Sequence, residues 1–195
     1  MGLTELNGGA LFDAEFGIGH GATPYRKGQV LHSVFAAALF LCTANSCRSI
    51  LAEAVFNHLA PVSMRAVSAG SKPCGWVHPQ SLKALARAGI EQTGLYSKSQ
   101  EVHAQLQPDV VITLCDNAAN EPCPAYFDQA FKAHWGLADP AAQQGSEEEI
   151  NAVFDQTVQI IRARVERFLQ LPFNKLDTSH CVNELKLIGE ITLAM

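Results

Sequence analysis

A cysteine and an arginine flank a short polar loop early in the chain. The pattern is C-x5-R-S, and its residues are Cys42-Thr43-Ala44-Asn45-Ser46-Cys47-Arg48-Ser49. An unbroken apolar run precedes this loop, and apolar residues at helical spacing follow it. The loop, which we call the cradle, is therefore predicted at the carboxyl end of a parallel strand and the amino end of a helix. Unpaired amides at a helix start bind tetrahedral oxyanions.

Cys42 and Arg48, at the two ends of the cradle, are suited to nucleophilic attack on a bound oxyanion. The helix dipole favours negative charge, so we expect a depressed pKa for Cys42 and a reactive thiolate at neutral pH. The planar guanidinium of Arg48 can contact two oxygens of the anion at once. The alternative is a buried apolar cysteine and a solvated arginine. Their joint occurrence at a strand-to-helix junction favours a nucleophile in an oxyanion site.

Two further cysteines are predicted near the same sheet edge. Cys115 ends a β-branched apolar run, and carboxyl ends of parallel strands share one crevice, so we expect Cys115 close to Cys42. Cys123 follows in a loop predicted over 116–126, which is long enough to bring Cys115 and Cys123 into bridging distance. A redox pair is favoured over two unrelated thiols. Zinc is the weakest alternative, because the spacing is wide and no histidine pair flanks it.

An acid is available for the leaving group of such a reaction. Asp139 precedes Pro140 in a late loop, from which a carboxyl group can protonate a departing oxygen. An Asp-Pro pair alone is a common turn signal. With the cradle present, the catalytic interpretation of Asp139 is favoured.

Composition limits the class of protein. The chain has 195 residues, of which 48% are hydrophobic and 17% charged, enough for one globular domain with a sizeable core. The formal net charge of -5 predicts neither a nucleic-acid nor a membrane partner. Six cysteines in a chain that needs no disulfide staples point to catalysis or redox chemistry.

The amino-terminal region imitates a lipoprotein signal. Arg26-Lys27 and an apolar run lead to Cys42, but large residues stand where a cleavage site needs small ones. The run is also too short to span a membrane. No other targeting segment is visible, so the expected location is the cytoplasm.

Periodicity predicts an α/β fold with a small parallel sheet of about four strands flanked by helices. A loosely ordered extension is expected over 1–32, the domain over 33–171, and a tail with one short helix over 172–195. The strand order is not indicated. Strands are predicted at 34–41, 64–70, 109–115 and 131–135, and helices at 50–60, 79–89, 102–106, 146–169 and 184–188. Ser146-Glu147-Glu148-Glu149 is a capping box that starts the fourth of these helices. The core stripe of that helix is predicted at Ile150, Val153, Phe154, Val158, Ile161, Val165 and Phe168.

Several motifs in this order resemble the arsenate reductases built on the low-molecular-weight tyrosine phosphatase fold, over about residues 34–170. The resemblance implies that arsenate is the substrate, with phosphate and sulfate as mimics, and that no metal or cofactor is tightly bound. It implies reducing equivalents from thioredoxin or from glutathione and glutaredoxin. The motifs are the cradle, Ser68-Ala69-Gly70, Val111-Ile112-Thr113-Leu114-Cys115, Cys123-Pro124 and His134-Trp135-Gly136-Leu137-Ala138-Asp139-Pro140.

The resemblance also implies a thiol relay that serves arsenic detoxification. Cys42 attacks arsenate, and Asp139 protonates the oxygen that departs. Cys115 then attacks Cys42 and arsenite is released. Cys123 attacks Cys115, and a thioredoxin reduces the resulting disulfide. The anion is held by Arg48 and by the loop residues Thr43, Ala44, Asn45, Ser46, Cys47 and Ser49.

The chain departs from the family pattern at a few positions. Ala44 stands where the family often has glycine. Some relatives bind potassium near the cradle; Asn45, Glu53 and Ser68 match part of that pattern, but Lys98 stands where the rest would lie. We expect the Lys98 ammonium to replace the cation. The segment from Cys115 to Cys123 is slightly longer than in well-known relatives, which leaves glutathione and glutaredoxin open as substitutes for one step.

Two alternatives stay open. A tyrosine phosphatase would use Cys42 and Asp139 equally well, but such enzymes usually place tyrosines after the Asp-Pro pair, where this chain has Ala141-Ala142. A phosphatase also has no use for Cys115 and Cys123. A non-catalytic thiol sensor that binds arsenite would explain the cysteines and leave Arg48 and Asp139 without a role.

Overall fold

The computed structural model describes residues 37–193. The predicted extension over 1–32 and the first residues of the predicted first strand lie outside the described residues.

The described chain is built on one four-stranded sheet with the order β2-β1-β3-β4. All three neighbouring pairs are parallel. This confirms the predicted α/β fold class. The register pairs Cys42 with Gly70 and Leu41 with Thr113, so the strand ends meet at one edge. The strands are β1 Ala37–Cys42, β2 Arg65–Gly70, β3 Val110–Thr113 and β4 Phe131–His134.

In the part of the chain that the structure describes, five α-helices surround this sheet. No helix within residues 37–193 is long and apolar enough to cross a membrane. The helices are α1 Arg48–Leu59, α2 Pro79–Arg87, α3 Asp116–Asn120, α4 Glu147–Leu169 and α5 Thr178–Gly189, with 3-10 turns over Gln100–His103, Ala125–Phe127, Pro140–Ala142 and Phe173–Lys175.

The central strand β1 is covered on both faces, as its lack of alternation predicts. On one face Phe40 contacts the rings of Phe56 and Trp135 at centroid distances of 6.0 Å. On the other face Leu39 and Leu41 belong to a smaller apolar cluster. This double burial holds the end of β1, and with it the cradle, in a fixed place.

The predicted capping box at the start of α4 is confirmed. Ser146 Oγ accepts a hydrogen bond from the Glu149 amide, and Glu149 Oε2 accepts one from the Ser146 amide. Along the helix, the predicted apolar stripe is buried at Phe154, Val158 and Ile161. The stripe packs α4 against α1, where Phe168 contacts the ring of Phe56.

Three elements differ from the sequence prediction. The loop predicted over 116–126 contains α3, whose first turn carries Asp116, a favourable acid at a helix start. The tail helix spans Thr178–Gly189 instead of 184–188, because the Asp177 side chain caps it through the His180 amide. The helical patch predicted over 102–106 is a 3-10 turn over Gln100–His103.

Candidate active site

The nucleophile candidate lies at the last residue of the central strand. Cys42 is buried, with 4% exposure. Its Sγ lies 2.8 Å from Ser49 Oγ and accepts a hydrogen bond from the Asn45 amide at 3.1 Å. Two polar groups of the cradle thus converge on one sulfur atom.

The cradle is held from outside by backbone amides of the segment that follows β2. In a trans peptide the carbonyl and the following N–H point in opposite directions, so outward carbonyls leave the next amides turned inward. Inward amides are the groups that bind an oxyanion. The outward bonds run to Thr43 O from the Lys72 amide, to Ala44 O from the Cys74 amide and to Ser46 O from the His78 amide, at 2.9, 3.0 and 2.8 Å.

Two backbone positions make this close approach feasible. Asn45 has a φ of 45°, in the left-handed region that asparagine tolerates better than most residues. A Cβ atom at Gly70 would lie 2.5 Å from Thr43 O, so only glycine fits there. The sequence motif includes Gly70 but gives no sign of this steric requirement.

Arg48 and Asp139 meet at the exposed side of the cradle. Arg48 Nη2 donates to Asp139 Oδ2 at 3.0 Å, and Nη1 donates to the Leu137 carbonyl at 2.9 Å. The Asp139 side chain is 44% exposed. Its second oxygen accepts a hydrogen bond from the Ala141 amide. The arginine and the predicted acid are therefore brought together.

The expected low pKa of Cys42 is wrong for this conformation. Burial raises the pKa of the Cys42 thiol, while the Ser49 hydroxyl and the amides of Asn45 and Ser49 lower it, and the neighbouring Cys115 raises it further. Arg48 is turned towards Asp139. Burial also raises the pKa of Cys47 to about 12, which keeps Cys47 a thiol.

The second and third cysteines lie at the same end of the sheet. Cys115 is buried directly before α3, and its Sγ lies 3.6 Å from Thr43 Oγ1. Cys123 is half-buried and lines a cavity of about 280 Å³ together with Cys42 and His134. All three cysteines are free thiols. The predicted crevice shared by Cys42 and Cys115 is thus present.

Behind the cradle, the predicted support residues form a buried polar network. Asn45 Nδ2 donates to Ser49 Oγ at 2.9 Å and to Ser68 Oγ at 2.8 Å. Ser68 Oγ donates to Glu53 Oε2 at 2.5 Å. Lys98 Nζ lies 3.1 Å from the same carboxylate oxygen.

Lys98 also binds the cradle through its backbone. Its amide donates to Asn45 Oδ1 at 2.8 Å, and its ammonium donates to the Tyr96 carbonyl at 3.2 Å. Lys98 is buried, with 6% exposure. The predicted cationic group therefore lies behind the cradle, against Glu53.

His134, for which the sequence predicts no role of its own, joins the cavity wall. Thr113 Oγ1 lies 2.9 Å from His134 Nδ1, and His134 Nε2 lies 3.3 Å from Asp116 Oδ1. Gly136 leaves space for this ring, because a Cβ there would lie 2.8 Å from Nε2. Within residues 37–193, no group of three or more His, Cys, Asp or Glu side chains is arranged to hold a metal ion.

Comparison with known proteins places this geometry in a family. The family described as low molecular weight phosphotyrosine protein phosphatase matches residues 37–179. The chain belongs to this family. The matched region contains the cradle, all three site cysteines and Asp139.

Several relatives of this chain are named arsenate reductase. Arsenate reductases of Shouchella clausii and Bacillus licheniformis are 35% and 37% identical over 131 residues, which is 67% of this chain and 93% of each relative. A solved arsenate reductase in the phosphate binding state is 27% identical, with a TM-score of 0.59, and the match covers 69% of this chain and 96% of the other.

Proposed function

We propose that this protein is an arsenate reductase in which a nucleophilic cysteine and two relay cysteines act in turn. The observation that carries the proposal is the placing of Cys115 and Cys123 at the nucleophile's end of the sheet. Cys115 lies against Thr43 of the cradle, and Cys123 shares a cavity with Cys42. The similarity to arsenate reductases over most of their length supports the same conclusion.

The first step is attack of the Cys42 thiolate on arsenic. A sulfur–arsenic bond forms and an arsenic–oxygen bond breaks. The departing oxygen leaves as water after it receives a proton from Asp139. Arg48 and the inward amides of the cradle stabilise the negative charge of the oxyanion. The Ser49 hydroxyl and the Asn45 amide stabilise the attacking thiolate against the cost of burial.

The second step transfers the electrons. The Cys115 thiolate attacks Cys42 Sγ, a disulfide forms and the sulfur–arsenic bond breaks. The electron pair of that bond stays on arsenic, so As(V) becomes As(III) and leaves as arsenite. The two sulfur atoms are oxidised in exchange.

The third step restores the nucleophile. The Cys123 thiolate attacks Cys115 Sγ and frees the Cys42 thiolate, which leaves a disulfide between Cys115 and Cys123. A dithiol protein of the thioredoxin class then reduces that disulfide. Glutathione with glutaredoxin is the alternative source of electrons.

The Lys98 ammonium has a structural role in this proposal. It contacts Glu53 at the back of the cradle and supplies the positive charge that a bound potassium ion would otherwise supply. Asn45, Ser68 and Glu53 transmit that support to the cradle.

The decisive experiment follows NADPH oxidation with arsenate, thioredoxin and thioredoxin reductase, and repeats it with glutathione, glutaredoxin and glutathione reductase. Sustained turnover in either system excludes the thiol sensor. Replacing Cys115 with serine should stop arsenate turnover while hydrolysis of an aryl phosphate survives. Cys74→Ser, which changes an exposed thiol, is the matched control. Arsenate turnover that persists in Cys115→Ser would contradict the relay.

A further inference from the structure

Helix α5 reaches the segment that carries the catalytic acid. The family match ends at residue 179, the second residue of α5, so nearly all of this helix lies outside the matched region. The inner face of α5 buries Cys181, Leu185 and Ile188 in the main hydrophobic core. The helix is thus an integral layer of the structure.

The first contact of α5 is with the residues that follow β4. Trp135 Nε1 donates to the Leu185 carbonyl at 2.9 Å, and the indole is buried with 1% exposure. Gly189 of α5 packs directly on His134 and Trp135. A Cβ atom there would lie 2.5 Å from His134 O and 3.0 Å from Trp135 Cδ1.

The second contact runs through a buried arginine of α4. Arg164 is 2% exposed, and Nη1 donates to the carbonyls of Trp135 at 2.8 Å and Gly136 at 3.2 Å. Its Nε donates to the Ile191 carbonyl, just beyond α5, at 3.2 Å. Burial lowers the pKa of Arg164 to about 10. Burying a guanidinium costs free energy unless its N–H groups are hydrogen-bonded. The Arg164 guanidinium meets this need by binding three backbone carbonyls.

The carbonyls of Trp135 and Gly136 that Arg164 binds lie only a few residues before Asp139 in the sequence. The Leu137 amide donates to Leu114 O at 3.1 Å, and the Leu137 carbonyl accepts from Arg48. Asp139 follows two residues later and binds the same guanidinium. A shift of Trp135 or Gly136 would therefore move the groups that Arg48 and Asp139 use.

We infer that α5 and Arg164 form a clamp on Trp135 and Gly136 that positions Asp139 for proton transfer. Arg164, Trp135 and Gly189 are positioning residues, since none of them contacts the cradle sulfur or the acid itself. The catalytic consequence of the clamp rests on the proposed function, whereas its effect on the order of the acid segment does not.

The sharpest test is Gly189→Ala. Alanine in place of glycine ordinarily stabilises a helix, but here the new methyl group would press on His134 O and the indole. We expect the kcat for arsenate to fall about tenfold while KM changes less than about threefold, because the acid acts in the transition state. Trp135→Phe keeps an aromatic side chain but removes the donor to Leu185 and part of the buried indole, so it should show the same pattern.

The control is Arg167→Met. Arg167 makes an exposed ion pair with Glu184 at 3.0 Å, so this variant also breaks a contact between α4 and α5, but away from the clamp. It should leave kcat unchanged. A kcat loss in the control equal to that in Gly189→Ala, or a loss in Gly189→Ala that only follows the folded fraction, would overturn the clamp.

Hydrogen exchange separates the clamp from the proposed function. The amides of Ala141 and Ala142 donate to Asp139 Oδ1 and Asp139 O. Their exchange should accelerate in Gly189→Ala and Trp135→Phe and stay at the wild-type rate in Arg167→Met. This measurement needs no turnover. A wild-type protein that does not reduce arsenate would therefore contradict the proposed function and leave the clamp untouched. Unchanged exchange in both clamp variants would end the clamp.

Discussion

The front and the back of the cradle are both ionic, and they differ in how firmly they are held. At the front, the Arg48 and Asp139 side chains are 17% and 44% exposed and meet through one hydrogen bond. At the back, the Lys98 and Glu53 side chains are 4% and 11% exposed and share partners with Ser68 and Asn45. A pair whose acid is open to solvent costs less to separate than a buried pair, and loss of one member of a buried pair strongly lowers the free energy of unfolding. The front can therefore reorganise around an anion while the back stays fixed.

The largest effect should come from Asp139→Asn at the front. Loss of the proton donor is expected to lower kcat for arsenate about 100-fold or more. The unfolding midpoint should change little because the Asp139 side of this ion pair is 44% exposed. Steady-state kinetics and circular dichroism melting measure the two quantities. A fall in the midpoint as large as in the back-network variant below would erase the contrast between the two regions.

The opposite pattern is expected from Glu53→Ala at the back. Lys98 would keep a buried ammonium without its carboxylate, so the free energy of unfolding should drop by about 3–5 kcal/mol. Urea denaturation measures this change. Glu147→Ala breaks the exposed ion pair with Lys83 and is the matched control, for which little change is expected. An equal loss in both variants would show that burial does not distinguish the pairs.

The buried thiol of Cys47, in the cradle, should make the stability of the fold sensitive to alkaline pH. Burial raises the pKa of Cys47 from 9.0 to about 12, so the folded state binds this proton more tightly than the unfolded state does. The contribution of this proton to the free energy of unfolding is fully present below pH 9.0 and is lost as the pH rises towards about 12. Melting curves across that window should fall less steeply for Cys47→Ser than for wild type. Cys74→Ser, at an exposed position, should follow wild type.

The smallest expected effect concerns potassium. Because the Lys98 ammonium already contacts Glu53, exchanging sodium for potassium chloride at equal ionic strength should leave the melting temperature of the wild type unchanged. Lys98→Gln should lose stability, and potassium should restore part of it more effectively than sodium. A clear specific gain in wild-type stability with potassium would contradict the proposed role of Lys98.

Local signals in the sequence were enough for much of the fold. The capping box of Ser146 and Glu149 predicted the start of α4, and the unbroken apolar run predicted a strand covered on both faces. The order of the strands was not predictable, since it depends on crossovers between distant segments. Helix α5 was underestimated because its start depends on one capping residue, Asp177, and its burial depends on contacts with α4 and β4.

The site was predictable in its residue types and less so in its energetics. The spacing from Cys42 to Arg48 and the cysteine at the end of β3 indicated which groups meet. The pKa of Cys42 was predicted with the wrong sign, because sequence spacing shows a helix start but not the degree of burial of the sulfur. Arg164 gave no signal either, since its partners are backbone carbonyls far along the chain.

The bonds that hold the cradle from outside have a consequence for the variation this protein can accept. Lys72, Cys74 and His78 reach the cradle through their amides, so at Lys72 and Cys74 the cradle needs only a backbone N–H, whereas the His78 side chain also caps α2. Lys72 and Cys74 are exposed and can be exchanged for most residues without cost to the anion site. Proline is the exception, because it has no N–H to donate. The sequence can thus vary widely at Lys72 and Cys74, but the cradle excludes proline from both positions.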